Sequence, residues 1–263
     1  MKALFIGYGR MGGALSNAWL SSGLIKELSI VDPALPADAA ERRYANLSDA
    51  PNEPFDLILL AVKPAYAAEA LAGLTDQQCA KAIVVSVAAG VTQTTLSSAL
   101  RQRCPVVRAM PNTPVLVGAG CTGLYADDQL DAAQRARIGQ LFEAVGLACW
   151  VEAEEQLDAV TAISGSGPAY YHLFSEALAQ AGIKLGLEPE LARALAAQTA
   201  YGAATLQHQP QADFAELRIA VTSPNGTTAA AIEVFEEQAR LRELVKAATA
   251  AAYDRSVELS NNG

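Results

Sequence analysis

The reading of this chain turns on Ala3-Leu4-Phe5-Ile6-Gly7-Tyr8-Gly9-Arg10-Met11-Gly12. A short apolar run ends in glycine, and the glycines that follow keep the spacing G-x-G-x-x-G. A helical pattern, Met11–Ser22, comes next and is closed by Gly23. Strand, glycine turn and helix in this order form the arrangement that holds a dinucleotide. Gly7 allows the tight turn, Gly9 presents no side chain to an approaching pyrophosphate, and Gly12 lets helix and strand pack closely. The helix start adds free N–H groups and partial positive charge. Gly7, Tyr8, Gly9, Arg10, Met11 and Gly12 are therefore the expected centre of a cofactor site.

Working outward, Leu28–Val31 reads as the next strand, with Asp32 at its end, twenty residues beyond Gly12. An acid there bonds the ribose 2′- and 3′-hydroxyls, which favours NAD(H) and repels a 2′-phosphate. Asp32 also suits the start of an Asp32–Pro33 turn. Arg10, Arg42 and Arg43 lie where they could serve a phosphate, so NADP(H) stays open. Leu57–Val62 is a continuous apolar run bounded by Asp56 and Lys63–Pro64, the pattern of a strand buried on both faces. Ile83–Val87 and Val106–Ala109 repeat it. Val115–Tyr125 and Leu147–Val151 read as further strands around a helix over Gln129–Ala144. Alternating strand and helix predict an α/β Rossmann domain, doubly wound around a mostly parallel sheet, over residues 1–152. Ala61, Val62, Lys63 and Pro64 follow one buried strand, and Ala88, Ala89 and Gly90 follow the next. Both turns fall at carboxyl ends of strands, where such sheets bind ligands. Lys63 could serve as a catalytic acid, although it reads first as a helix-start lysine directed toward solvent or backbone.

The pattern changes after residue 152. Tyr170, Phe174, Ala177, Leu178, Ala181 and Leu185 recur at helical spacing, Pro189 suits the first turn of another helix, and Leu241, Leu244, Val245, Ala248 and Ala252 mark a last one. Residues 153–263 are expected to form an all-α domain. Its helices, Ala194–Ala204 for example, are apolar on more than one face, which predicts a subunit interface.

Bulk properties narrow the function. The net charge of −9 argues against nucleic acid, and an anionic substrate must be held by local groups. Cys79, Cys104, Cys121 and Cys149 are far apart and read as reduced, buried thiols. With only His172 and His208 beside them, no metal site is expected. The apolar runs are too short to span a bilayer, and no signal segment precedes Ala3, so a soluble cytoplasmic protein is expected.

The helical half carries two glycine-bearing turns, Ser164-Gly165-Ser166-Gly167-Pro168-Ala169-Tyr170 and Thr222-Ser223-Pro224-Asn225-Gly226-Thr227-Thr228. Each reads as a helix start offering hydroxyls and free N–H groups to a small carboxylate, or as simple capping. With Gly7–Gly12, Ala61–Pro64, Ala88–Gly90 and Met110–Pro114, these stretches make the chain resemble the Δ1-pyrroline-5-carboxylate reductases over nearly its full length. The resemblance implies NADPH- or NADH-dependent reduction of 1-pyrroline-5-carboxylate to L-proline, the last step of proline biosynthesis. It implies a helical dimerisation domain and a homodimer, often within a ring of dimers. It also implies that Thr228 bonds the ring nitrogen, that Gly226 and Thr227 hold the substrate carboxylate with Ser223, Ser164 and Gly165 nearby, and that Asn46 contacts the cofactor. This chain has Ser223-Pro224-Asn225-Gly226 where the family commonly has Ser-Pro-Gly-Gly; Asn is the non-glycine residue that best tolerates positive φ.

Two other readings compete. A β-hydroxyacid-type dehydrogenase shares the two-domain plan but uses a lysine on the long helix; here that helix carries none before Lys184. His172 could be offered as a substitute acid, although it reads as a helix-surface or core residue. A non-catalytic dinucleotide-binding protein would have no need of the Ser223–Thr228 turn.

Overall fold

The structure is a computed structural model that describes residues 1–38, 40–101 and 104–261. Its residues group into two compact units: Met1–Ser166 with the turns from Ala252 onward, and Gly167–Ala251.

The first unit opens with β1 (Lys2–Ile6), α1 (Arg10–Ser21), β2 (Glu27–Val31), the short β3 (Arg43–Tyr44) and β4 (Leu57–Leu60). It continues with α2 (Ala67–Ala72), α3 (Asp76–Cys79), β5 (Ile83–Ser86), α4 (Gln93–Ala99) and β6 (Val106–Met110). Then come β7 (Gly120–Tyr125), α5 (Ala132–Glu143), β8 (Gly146–Trp150) and α6 (Gln156–Val160). Among the described residues the strands form one eight-stranded sheet in the order β3-β2-β1-β4-β5-β6-β7-β8. Neighbours run parallel except β6 and β7, which pair antiparallel. The alternating strand and helix pattern thus folds as a Rossmann-type sheet with an extension beyond β6.

Successive side chains of a strand point to opposite faces, so each central strand feeds two cores. Phe5, Leu57, Leu59, Ile83 and Val85 face Leu15 and Trp19 of α1 and Leu141 and Phe142 of α5. Leu4, Ile6, Ile58, Leu60 and Val84 face Leu71 of α2, Cys79 of α3 and Leu96 of α4. Continuous apolar runs are what a sheet covered on both sides requires. Trp19 anchors the first core: its ring meets Phe5 and Phe142 edge-on at 5.8 and 5.4 Å, and its indole N–H donates to the Leu141 carbonyl at 2.6 Å.

Three expectations are corrected. Val115–Val117 is not strand: Thr113–Val117 is a 3-10 turn, opened by Pro114 and ended by Gly118 at φ +69°. Val115 is apolar because it packs into the first core. The helix expected from Gln129 begins at Ala132, because Asp131 caps it in a reciprocal pair with Gln134. Of the cysteines, Cys79 and Cys104 are buried, but Cys121 is half-buried and Cys149 is exposed on the edge strand β8.

The second unit holds α7 (Gly167–Lys184), α8 (Pro189–Gln207), α9 (Phe214–Ala220), α10 (Thr227–Glu236) and most of α11 (Arg240–Asn261). Gly186, at φ +98°, ends α7, and Pro189 opens α8. A Cβ on Gly182 would lie 3.3 Å from the Ala192 Cβ, so small residues set the α7–α8 contact. Burial here is confined to small side chains such as Ala179, Ala192 and Ala196, whereas Tyr171, Leu173, Tyr201 and Phe214 are each about two-thirds exposed. No helix among the described residues is long and apolar enough to cross a membrane.

Candidate functional site

Steric necessity shapes the glycine turn between β1 and α1. Gly7 sits at φ +91°, and a Cβ there would lie 2.5 Å from the Ala61 carbonyl oxygen. A Cβ on Gly12 would lie 2.7 Å from the Gly7 carbonyl oxygen. Gly9 differs: nothing lies within 4 Å of where its Cβ would be. Two glycines are thus demanded by the fold, while the third keeps open a cradle that a side chain would fill. Gly9 also precedes α1 with no side-chain cap, leaving the helix start to an external acceptor. Arg10 is exposed at the first helical position, and Met11 is half-buried against the first core. The residues present fit a dinucleotide diphosphate.

Asp32 is drawn into this turn. Its Oδ2 accepts the Tyr8 backbone N–H at 2.6 Å, and its Oδ1 accepts the Ala34 N–H at 2.8 Å. The two readings of Asp32, turn former and ribose partner, are therefore compatible. The Tyr8 hydroxyl meets Ser16 Oγ at 2.6 Å, fixing the aromatic side chain of the turn. Arg42 and Arg43, by contrast, do not reach the turn as phosphate ligands. Arg42 Nε donates to Ser29 and its guanidinium pairs with Glu53, which also pairs with Lys2 at 2.5 Å. Lys2 and Glu27 begin β1 and β2, so this network sits toward the amino ends of the strands. Arg43 pairs with Glu41 and, at 3.8 Å, with Asp38. Asn46 is exposed and donates to Asp49 at 2.9 Å; no recorded bond joins it to the glycine turn.

At the next strands, Ala61 backs Gly7, Val62 is half-buried, and Lys63 is exposed just ahead of the turn opened by Pro64. Ala88 is buried, Ala89 is half-buried, and Gly90 takes φ +73°. A Cβ on Gly90 would lie 2.9 Å from the Leu259 Cβ, because the end of α11 packs directly on this turn. Two residues that the sequence did not single out hold the region. Glu154 Oε1 accepts both the Gln93 backbone N–H at 2.6 Å and Arg108 Nη1 at 2.7 Å. It joins the start of α4, the strand β6 and the segment after β8 at one atom, and the Arg108 side chain is 10% exposed. Asn112, also buried, accepts the Cys121 N–H at 2.8 Å and donates to the Ser164 carbonyl at 2.9 Å.

That last bond explains a correction. The long helix does open within this stretch, at Gly167, but Ser164 and Gly165 offer no free helix start: they lie inside a π-helical turn, Thr161–Gly165, that runs on from α6. Ser166 N–H donates five residues back to Thr161 at 2.8 Å. Pro168 has no N–H for the Ser164 carbonyl, and Asn112 supplies the missing donor. The Ser164 hydroxyl turns inward to the Val160 carbonyl at 3.0 Å, and Gly165 lies against the Met110 side chain. Pro168 was the available signal that an outside donor was needed.

The second turn does open a helix. Asn225 takes φ +58°, as its amide side chain permits, and Gly226 caps α10 without a side-chain acceptor. The Gly226 N–H donates to the Ser223 carbonyl at 3.0 Å, and a Cβ on Gly226 would lie 2.5 Å from Ser223 Oγ. Glycine is required by the closeness of Ser223. Thr227 and Thr228 form the first turn of α10, with Thr228 half-buried. The other end of α10 is tied down: Glu236 accepts Arg218 of α9 at 2.7 Å and Arg242 of α11 at 2.6 and 2.8 Å. The Glu236 carboxyl is held below the usual range, chiefly by the Arg242 hydrogen bond.

Comparison with known proteins follows this division. Residues 154–259 match the family model described as pyrroline-5-carboxylate reductase dimerisation, and residues 2–90 match the model described as NADP oxidoreductase, coenzyme F420-dependent. The chain is 41% identical to a pyrroline-5-carboxylate reductase of Pseudomonas aeruginosa, covering 98% of this chain and 97% of that one. Among solved structures it is similar to the Coxiella burnetii pyrroline-5-carboxylate reductase, with TM-score 0.87, 35% identity and 98% of both chains covered. It is also similar to the Plasmodium falciparum pyrroline carboxylate reductase with NADP bound, with TM-score 0.85, 28% identity and 99% and 98% covered.

Proposed function

We infer that this chain, which belongs to the pyrroline-5-carboxylate reductase family, reduces 1-pyrroline-5-carboxylate to L-proline with NADPH or NADH. It is an NAD(P)-dependent oxidoreductase that acts on a carbon–nitrogen bond. The observation that carries the reading is the uncapped start of α10 at Gly226, in a chain whose relatives match it from end to end.

The chemistry asks for little acid–base work. A protonated cyclic imine accepts hydride at carbon more readily than a neutral carbonyl does, so positioning dominates. The free N–H groups of the first turn of α10, with Gly226 and Thr227, hold the substrate carboxylate. The Thr228 hydroxyl accepts a hydrogen bond from the iminium N–H, or passes a proton to the nitrogen. Ser223 supports the turn from beneath; the family resemblance also implies Ser164 and Gly165 as substrate contacts, Ser164 through the lone pairs its hydroxyl keeps after donating to the Val160 carbonyl. The glycine turn, Asp32, Asn46, Ala61–Pro64 and Ala88–Gly90 hold the cofactor, which supplies a hydride when bound. The dehydrogenase alternative loses its lysine: α7 carries none before Lys184, its last residue, and His172 is exposed.

The chain forms a homo-oligomer through its helical part, consistent with the dimerisation model and with the exposed apolar residues of α7, α8 and α9. We extend this to residues 153–263 as a substrate-binding and dimerisation domain, a ring of dimers, and a cytoplasmic location. The deciding experiment is spectrophotometric: purified protein should consume NADH or NADPH when pyrroline-5-carboxylate is added, forming proline. A protein that binds the nucleotide yet never oxidises it would be a sensor, not a reductase.

A further inference from the structure

We infer that the adenosine end of the cofactor site selects NADH over NADPH, with Asp32 as the specificity-determining residue. The inference rests on the reductase reading above and deepens it.

NADH and NADPH differ by one phosphate on the adenosine ribose, a site reached from the end of the second strand. Asp32 stands there and is not free to swing aside. Its two oxygens each accept a backbone N–H, from Tyr8 at 2.6 Å and Ala34 at 2.8 Å. Rotation away would leave both donors without their acceptor and loosen the glycine turn. Each oxygen keeps a lone pair that can accept from a ribose hydroxyl, whereas a 2′-phosphate would set two like charges side by side.

A site for NADPH answers that charge with a cation. Arg42 is committed to Ser29 and Glu53, in the network that includes Lys2 at the opposite end of the strand. Arg43 is committed to Glu41 and Asp38. The residues after Asp32, Pro33-Ala34-Leu35-Pro36-Ala37-Asp38, contribute no cation and one more acid. Arg10 is the first residue of α1, the uncapped helix start that suits the diphosphate common to both cofactors.

The test is equilibrium binding of each nucleotide to the purified protein without substrate, read by nucleotide fluorescence, alongside steady-state kinetics. The wild type should bind NADH at least about tenfold more tightly than NADPH, the order expected for a like-charge encounter at a half-buried carboxylate. Asp32→Asn keeps an acceptor for the Tyr8 N–H but removes the charge, and should bring the two affinities within about threefold of each other. Arg42→Ala should leave the ratio as it was. Equal or tighter NADPH binding by the wild type overturns the inference, as does an unchanged ratio in Asp32→Asn or a shifted ratio in Arg42→Ala. If the protein selects NADH yet does not oxidise it with pyrroline-5-carboxylate, cofactor selection stands and the reductase reading falls.

Discussion

The two glycine turns look alike in sequence and are built differently. Gly7–Gly12 lies in a packed unit and is confined by backbone: Ala61 behind Gly7, Gly7 behind Gly12, and the Asp32 carboxylate on the Tyr8 N–H. Ser223–Thr228 lies in a unit whose large side chains are mostly exposed, and it is shaped by its own residues, Ser223 against Gly226 and Asn225 in the left-handed region. The first turn is a consequence of the sheet. The second is a local device whose helix is braced at the far end by Glu236. Substitutions in the first should therefore damage folding and binding together unless they point into the open cradle, while those in the second should separate chemistry from folding.

The largest expected effect tests the first half of that contrast. Gly7→Ala forces a side chain onto the Ala61 carbonyl at φ +91° and should cost about 3 kcal/mol or more in stability. Its partner, Gly9→Ala, should unfold like the wild type in a thermal melt yet bind NADH at least about tenfold more weakly, since its Cβ meets only the cradle. If both variants lose stability equally, the distinction between a steric and a functional glycine fails.

Glu154→Gln comes next. It leaves the Arg108 guanidinium, 10% exposed, facing a neutral partner. Because Glu154 itself keeps some solvent contact, the loss in denaturant unfolding should be about 2–3 kcal/mol. The Thr228→Ala variant should behave in the opposite way. The rate should fall about 10- to 100-fold while NADH affinity and melting temperature stay near wild type. Unchanged turnover in that variant would remove Thr228 from the mechanism.

The smaller effects sharpen the second turn. Glu236 has a depressed carboxyl pKa in the folded protein, so its stabilisation is present above the unfolded value of 4.5 and is lost as pH falls through the lower folded value. Melts of the wild type and Glu236→Gln should differ near neutral pH and converge in acid. The smallest change is Asn225→Gly. Glycine relieves the left-handed strain but widens the unfolded ensemble, so stability should move by less than about 1 kcal/mol and turnover by less than about twofold.

What the sequence could show follows the same contrast. The glycine spacing, the two-sided apolar strands and Pro189 at a helix start are local patterns, and each appears in the fold as expected. Arg42 was out of reach because its partners, Ser29 and Glu53, lie 13 residues before it and 11 after it and are brought to it only by the fold. Asn112 was out of reach for a similar reason: its acceptor Ser164 lies 52 residues away. Val115 misled because an apolar residue needed by the core looks the same in a strand and in a 3-10 turn. The Ser164–Gly165 turn misled in part: a helix does start at Gly167, but Pro168 and Asn112 together let a wider helical turn run into it, so no free N–H groups are left for a ligand there.

The contact of Gly90 with Leu259 has a consequence for how the protein is made. A ribosome delivers the strands of the sheet first, then all of α7 to α10, and only then the residues from Ala252 that rejoin the first unit. Until they emerge, the Ala88–Gly90 turn has its strand but not its backing, and Asp158 lacks the Ser256 hydroxyl that bonds it at 2.6 Å. The nascent sheet can hold its shape early, while the turn after β5 gains its backing late, after the helices that are to meet a second copy have already been exposed to the cell.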